Sequence, residues 1–108
     1  HSCGSVREIV PWMIEDGLDI LDPVQTVATG MSYPGLVRDF GDKIVFHGAV
    51  DTQTTLPFGS QDDVRSVVRG FVGESKQKNC YILCGSQELI EDVPLDNVLA
   101  MYEPGLRY

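Results

Sequence analysis

Basic residues are scarce in this chain. Its 108 residues include 8 lysines and arginines against 16 aspartates and glutamates, for a formal net charge of −8 and a sequence pI near 4.4. Nucleic acid and anionic membrane surfaces both select basic patches, so neither is an expected partner. Long apolar runs are missing as well: none approaches the roughly 18–20 residues that a membrane-spanning helix needs. Cysteine is sparse. Three cysteines, an odd number without scaffold spacing, exclude a disulfide framework, and a reducing, cytoplasmic setting is the expectation. Neither a P-loop nor a dinucleotide-type glycine loop occurs, and no internal repeat is evident. What remains is an ordinary globular composition, 43% hydrophobic and 22% charged, sized for one domain or part of one.

Read along the chain, helices and strands alternate. Ser5 to Glu8 has the form of a capping box, and Val6, Ile9, Val10, Met13 and Ile14 follow at helical spacing. Pro11 should kink or restart that helix, and Gly17 should end it. Leu18 to Leu21 reads as a strand closed by Asp22-Pro23. A loop over 29–35 leads to a short helix carrying Leu36, Val37 and Phe40. Ile44 to Val50 is a second strand, too continuously apolar for half exposure, as in a parallel sheet covered on both faces. The loop over 51–59 precedes a helix capped by Ser60 to Asp63, with Val64, Val67, Val68, Phe71 and Val72 on one face. Cys80 to Cys84 is a third strand. Pro94 suits the first turn of a last helix, whose expected buried stripe is Leu95, Val98, Leu99 and Tyr102. Such alternation predicts a parallel α/β sheet.

In parallel α/β folds the chemistry gathers at the C-terminal ends of the strands. His1, Cys3, Asp22, Gln25, Asp51, Gln53, Cys84, Ser86 and Gln87 all follow strands and are expected on one face. Cys80 precedes its strand and belongs to the opposite end. His1 and Cys3 stand two apart. In an extended segment that spacing points both side chains the same way, with Cα atoms about 7 Å apart, and both can reach one zinc ion. Catalytic zinc takes three protein ligands and keeps one position open, and Cys84 is the third candidate by chemistry. The alternative is that Cys3 and Cys84 are small buried hydrophobes. Asp22 and Asp51 are candidate catalytic carboxylates, or caps of the turns that follow them. His47, inside an apolar strand, reads as a satisfied core histidine. A chain that starts at a His resembling the end of a strand is expected to be the C-terminal piece of a longer protein.

Several motifs together resemble the uroporphyrinogen decarboxylase superfamily. They are His1-Ser2-Cys3-Gly4, Asp19-Ile20-Leu21-Asp22-Pro23-Val24-Gln25, His47-Gly48-Ala49-Val50-Asp51-Thr52-Gln53 and Thr55-Leu56-Pro57-Phe58-Gly59. Tyr81-Ile82-Leu83, Asp92-Val93-Pro94, Asn97-Val98-Leu99-Ala100 and Tyr102 continue the series in the same order. The resemblance implies an eight-stranded (β/α) TIM barrel of which residues 1–108 form the C-terminal part, about the last third.

That superfamily has two well-known chemistries. One branch removes carboxylates from a porphyrinogen, in tetrapyrrole and heme biosynthesis, without a cofactor. The other transfers a methyl group from a methylated corrinoid (methylcobalamin, on some corrinoid proteins) to a thiol such as coenzyme M, using zinc. Its zinc ligands are a His-x-Cys pair, matched by His1 and Cys3, and a distant Cys. The distant Cys aligns with Gln87, where the decarboxylase branch carries a His; Cys84 lies three residues earlier. The resemblance thus implies zinc at His1 and Cys3, with Cys84 the third candidate by chemistry; Asp22 and Asp51 are the expected catalytic carboxylates, and Gln25, Gln53 and Gln87 the expected substrate contacts. Zinc-assisted methyl transfer is the favoured expectation and porphyrinogen decarboxylation the alternative. As an isolated chain, the segment is expected to lack activity and to self-associate through uncovered strands.

Overall fold

The structure, a computed structural model, describes residues 1–104; the last four residues of the expected segment lie outside the described part. After a single 3-10 turn, Arg7–Ile9, the order is α1 (Val10–Glu15), β1 (Ile20–Val24), α2 (Tyr33–Phe40), β2 (Val45–Val50), α3 (Thr55–Phe58), α4 (Gln61–Ser75), β3 (Tyr81–Gly85) and α5 (Leu95–Tyr102). The strands form one parallel sheet in the order β1-β2-β3. This is the predicted α/β class, and it is consistent with part of a (β/α) barrel.

Helices cover one face of the sheet. Leu21 pairs with Phe46, and Phe46 with Tyr81, so these three side chains share a face. Tyr33 of α2 meets Phe46 edge-on at 5.8 Å and Tyr81 at 5.2 Å, and Phe71 of α4 joins them at 4.7 Å from Tyr33. Val10, Leu21, Val24, Met31, Leu36 and Phe46 fill the core beneath α1 and α2, and each is fully buried. A second cluster, Val50, Leu56, Val64, Val68, Ala100 and Met101, ties α3, α4 and α5 to the end of β2. On the other face the alternation leaves Ile20 and Ile82 more than 40% exposed and Asp22 and His47 half-buried. Cover on both faces is therefore not observed among the described residues. The start of β2 packs one face, with Val45 and His47 only half-buried at the alternate positions, whereas Gly48, Ala49 and Val50 at its end are all buried.

Local signals decide most element ends. Pro11 sits in the first turn of α1, where its missing N–H costs nothing, so the chain restarts there as expected. Gly17 follows that helix with φ +97°, a backbone shape that favours glycine. Ser60 and Asp63 form the predicted reciprocal capping box of α4: Asp63 N–H donates to the Ser60 hydroxyl, and the Asp63 carboxylate accepts from Ser60 N–H at 2.8 Å.

Other expectations are corrected. Ser5 caps nothing: its hydroxyl donates to the carbonyl of Thr29, across the sequence. β1 starts at Ile20 and runs through Asp22-Pro23 instead of stopping there; it is an edge strand of the described sheet, where a proline is tolerated. α2 begins at Tyr33, capped by Ser32, with Pro34 in its first turn. The loop after Asp51 contains α3. In α5 the buried residues are Asn97, Ala100 and Met101, while Leu95, Leu99 and Tyr102 face outward at 70%, 61% and 43% exposure. Asn97 decides this rotation: its amide donates to the carbonyls of Leu56 and Gly59, both at 2.8 Å. A buried amide with two partners turns the apolar stripe away from α4.

Candidate active site at the C-terminal ends of the strands

The segment before the first helical turn lies along the end of β1. Ser2 N–H donates to the Asp22 carbonyl at 2.8 Å, and Gly4 N–H donates to the Gln25 side-chain oxygen at 2.6 Å. Those two bonds fix the backbone around Cys3. They assign Gln25, expected as a substrate contact, to holding this segment in place.

His1 and Cys3 do converge: Nε2 and Sγ are 3.9 Å apart, both exposed. A zinc ion bonded to sulfur at ~2.3 Å and to nitrogen at ~2.0 Å with a tetrahedral angle sets the two donors about 3.5 Å apart. The pair therefore suits a shared metal with little adjustment. The third member of the cluster is Gln87, whose Nε2 donates to Cys3 Sγ at 2.9 Å. Cys84 is placed elsewhere, partly buried and near Tyr102 of α5. Among the described residues, no three His, Cys, Asp or Glu side chains are grouped to hold a metal. The donor set thus fits zinc in two positions, and the third group of the cluster is an amide hydrogen-bonded to the sulfur.

Asp51 follows β2 and is buried. Its carboxylate accepts from the backbone N–H groups of Gln53 (2.9 Å), Thr54 (3.0 Å) and Thr55 (3.2 Å) and from the Thr54 hydroxyl. Burial alone raises the pKa of such a group, but these hydrogen bonds outweigh it and hold the Asp51 carboxyl below its ordinary value. The carboxylate is spent on nucleating α3. Gln53 is exposed on the same turn. The turn leans on the end of β3, where Ser86 N–H donates to Val50 O at 2.7 Å and Thr52 N–H meets the Ser86 hydroxyl at 3.3 Å.

Asp22 has a partner that sequence reading missed. Its Oδ1 lies 2.6 Å from Nδ1 of His47, and the side chains are 42% and 33% exposed. His47 is satisfied, as expected, but it stands on the open face of the sheet and not in the core. The available signal was positional: each residue sits on the face opposite the buried Leu21 and Phe46.

A sequence model of the uroporphyrinogen decarboxylase (URO-D) family matches residues 1–105. The chain belongs to the uroporphyrinogen decarboxylase family. No curated protein and no solved structure matches it. Within this URO-D chain, His1, Cys3 and Gln87 form one cluster and Asp22 and His47 another, joined through Ser2 on the Asp22 carbonyl. Cys80 is buried at the opposite end of β3, 1% exposed, as its place before the strand predicted.

Proposed function

We propose that this chain supplies the C-terminal strands and part of the active site of a URO-D family enzyme, and that its chemistry is zinc-assisted methyl transfer between a corrinoid and a thiol. The observation that supports this reading is the convergence of His1, Cys3 and Gln87. These are the three positions that resemble the zinc ligands of the methyltransferase branch. Here His1 Nε2 and Cys3 Sγ are the residues that would hold the metal. Bound zinc favours thiolate over thiol, and thiolate is the nucleophile that methyl transfer needs. Gln87 donates to the sulfur and stabilises negative charge on it. Asp22 and Asp51 would contribute as a proton-handling carboxylate and as the organiser of the loop over 51–59. Substrate would contact Gln53 and Gln87 at the mouth of the site.

A second reading, decarboxylation of a porphyrinogen, is favoured by one observation: among the described residues an amide, and no third His, Cys, Asp or Glu, joins the pair.

Metal content separates the two. Purified natural protein should carry about one zinc per chain by elemental mass spectrometry, and Cys3→Ala should lose it. Well-folded protein without zinc would sink the methyl-transfer reading and leave decarboxylation ahead.

A further inference from the structure

The open face of the sheet carries a polar pair that the zinc reading does not use. β1 and β2 are out of step between two matched positions: Leu21 opposes Phe46 and Val24 opposes Gly48, so two residues, Asp22 and Pro23, face one, His47. Such bulges re-aim a side chain, and they recur next to active sites. Here the bulge brings Asp22 Oδ1 to 2.6 Å from His47 Nδ1. On the far side His47 pairs with Ile82, which has no polar side-chain group and is 41% exposed. Asp22 is therefore the charged side chain that orients this imidazole.

We infer that Asp22 and His47 form an oriented carboxylate–imidazole pair that accepts a proton from the protic group of a ligand bound against this face. A carboxylate only accepts hydrogen bonds, so the ring nitrogen facing it must carry the hydrogen. His47 is held as the Nδ1–H tautomer, and the lone pair of Nε2 is left for a ligand. In the step the ligand's S–H, N–H or O–H bond breaks, its electron pair stays on the heteroatom, and a new N–H bond forms at Nε2. The resulting imidazolium is balanced by the Asp22 carboxylate, so charge is conserved and no co-reactant is required. His47 is the proton acceptor, and Asp22 is a positioning residue acting through it. The inference rests on the proposed function only for where a ligand sits. Its test reads a tautomer and not a metal, so either idea can fail without the other.

The experiment is side-chain nitrogen NMR of the natural protein, with His47 assigned by the signals lost in His47→Gln. Neutral His47 should be the Nδ1–H form. In Asp22→Ala the ratio of Nδ1–H to Nε2–H should fall about tenfold or more, the worth of a charge-assisted hydrogen bond. Asp22→Asn is no longer an obligate acceptor, because its amide N–H can donate to Nδ1, so it should lower the same ratio; it serves if Asp22→Ala does not fold. Diethyl pyrocarbonate should acylate His47 on Nε2 in folded protein. An Nε2–H tautomer in the natural protein, no change of ratio in Asp22→Ala, or a His47 inert to the reagent would each overturn the inference.

Discussion

The smallest unit that matters is the thiol of Cys3. It is exposed, with an imidazole nitrogen 3.9 Å away on one side and an amide donor 2.9 Å away on the other. The His-x-Cys spacing was readable in the sequence, because an extended segment obeys a period of two. Gln87 was readable only as an alignment position: its 84-residue separation from Cys3 is closed by the sheet, not by any local rule. The same holds for His47 and Asp22, which looked like a core histidine and a turn carboxylate until β1 and β2 were set side by side. The Gln87 amide is a weak zinc ligand where a thiolate would be a strong one. Gln87→Cys should therefore complete the ligand set and tighten zinc binding by about tenfold or more, measured by competition with a chelator. Unchanged affinity would place Gln87 outside the metal's reach.

At the scale of elements, Asp51 shows how a candidate catalytic group is used to build structure. It receives three backbone N–H groups and one hydroxyl and starts α3, an element that sequence reading left as loop. The signal was short and polar, without helical periodicity, so only the closed turn reveals it. Asp51→Ala would leave those donors unpaired and should cost about 1–3 kcal/mol of stability in urea unfolding at neutral pH. The pH dependence has a definite sign. The folded-state pKa of Asp51 is depressed, so its contribution is present above the unfolded value of about 3.9 and is lost as the pH falls through the folded value. The gap between the native chain and Asp51→Ala should narrow on acidification below about pH 4. A gap that stays constant would mean that the carboxylate charge is not what holds the turn. α5 makes the complementary point: periodicity located the helix, but Asn97 and its two carbonyl partners chose which side went in.

For the whole molecule, the uncovered surfaces are the main consequence. β1 and β3 each have one side without a strand partner among the described residues. Phe58, Leu95, Trp12, Ile90 and Leu99 are 80%, 70%, 66%, 62% and 61% exposed. Open strand edges and exposed apolar side chains both gain by being covered. The isolated chain should therefore run as a dimer or larger species in size-exclusion chromatography with light scattering, increasingly so with concentration. A monodisperse monomer at high concentration would refute this. Among the described residues no helix is long and apolar enough to cross a membrane.

The sequence by itself determined what depends on neighbours along the chain: the alternation of strands and helices, the restart at Pro11 and the Ser60–Asp63 cap. Each follows from side-chain periodicity or from a backbone group satisfied within a few residues. Only the tertiary structure decided which residues meet. The bulge opposite His47, the reach of Gln87 to Cys3, the diversion of Cys84 to Tyr102 and the rotation of α5 all depend on register between distant segments. Register is set by packing a whole face at once, so no local window of sequence contains it.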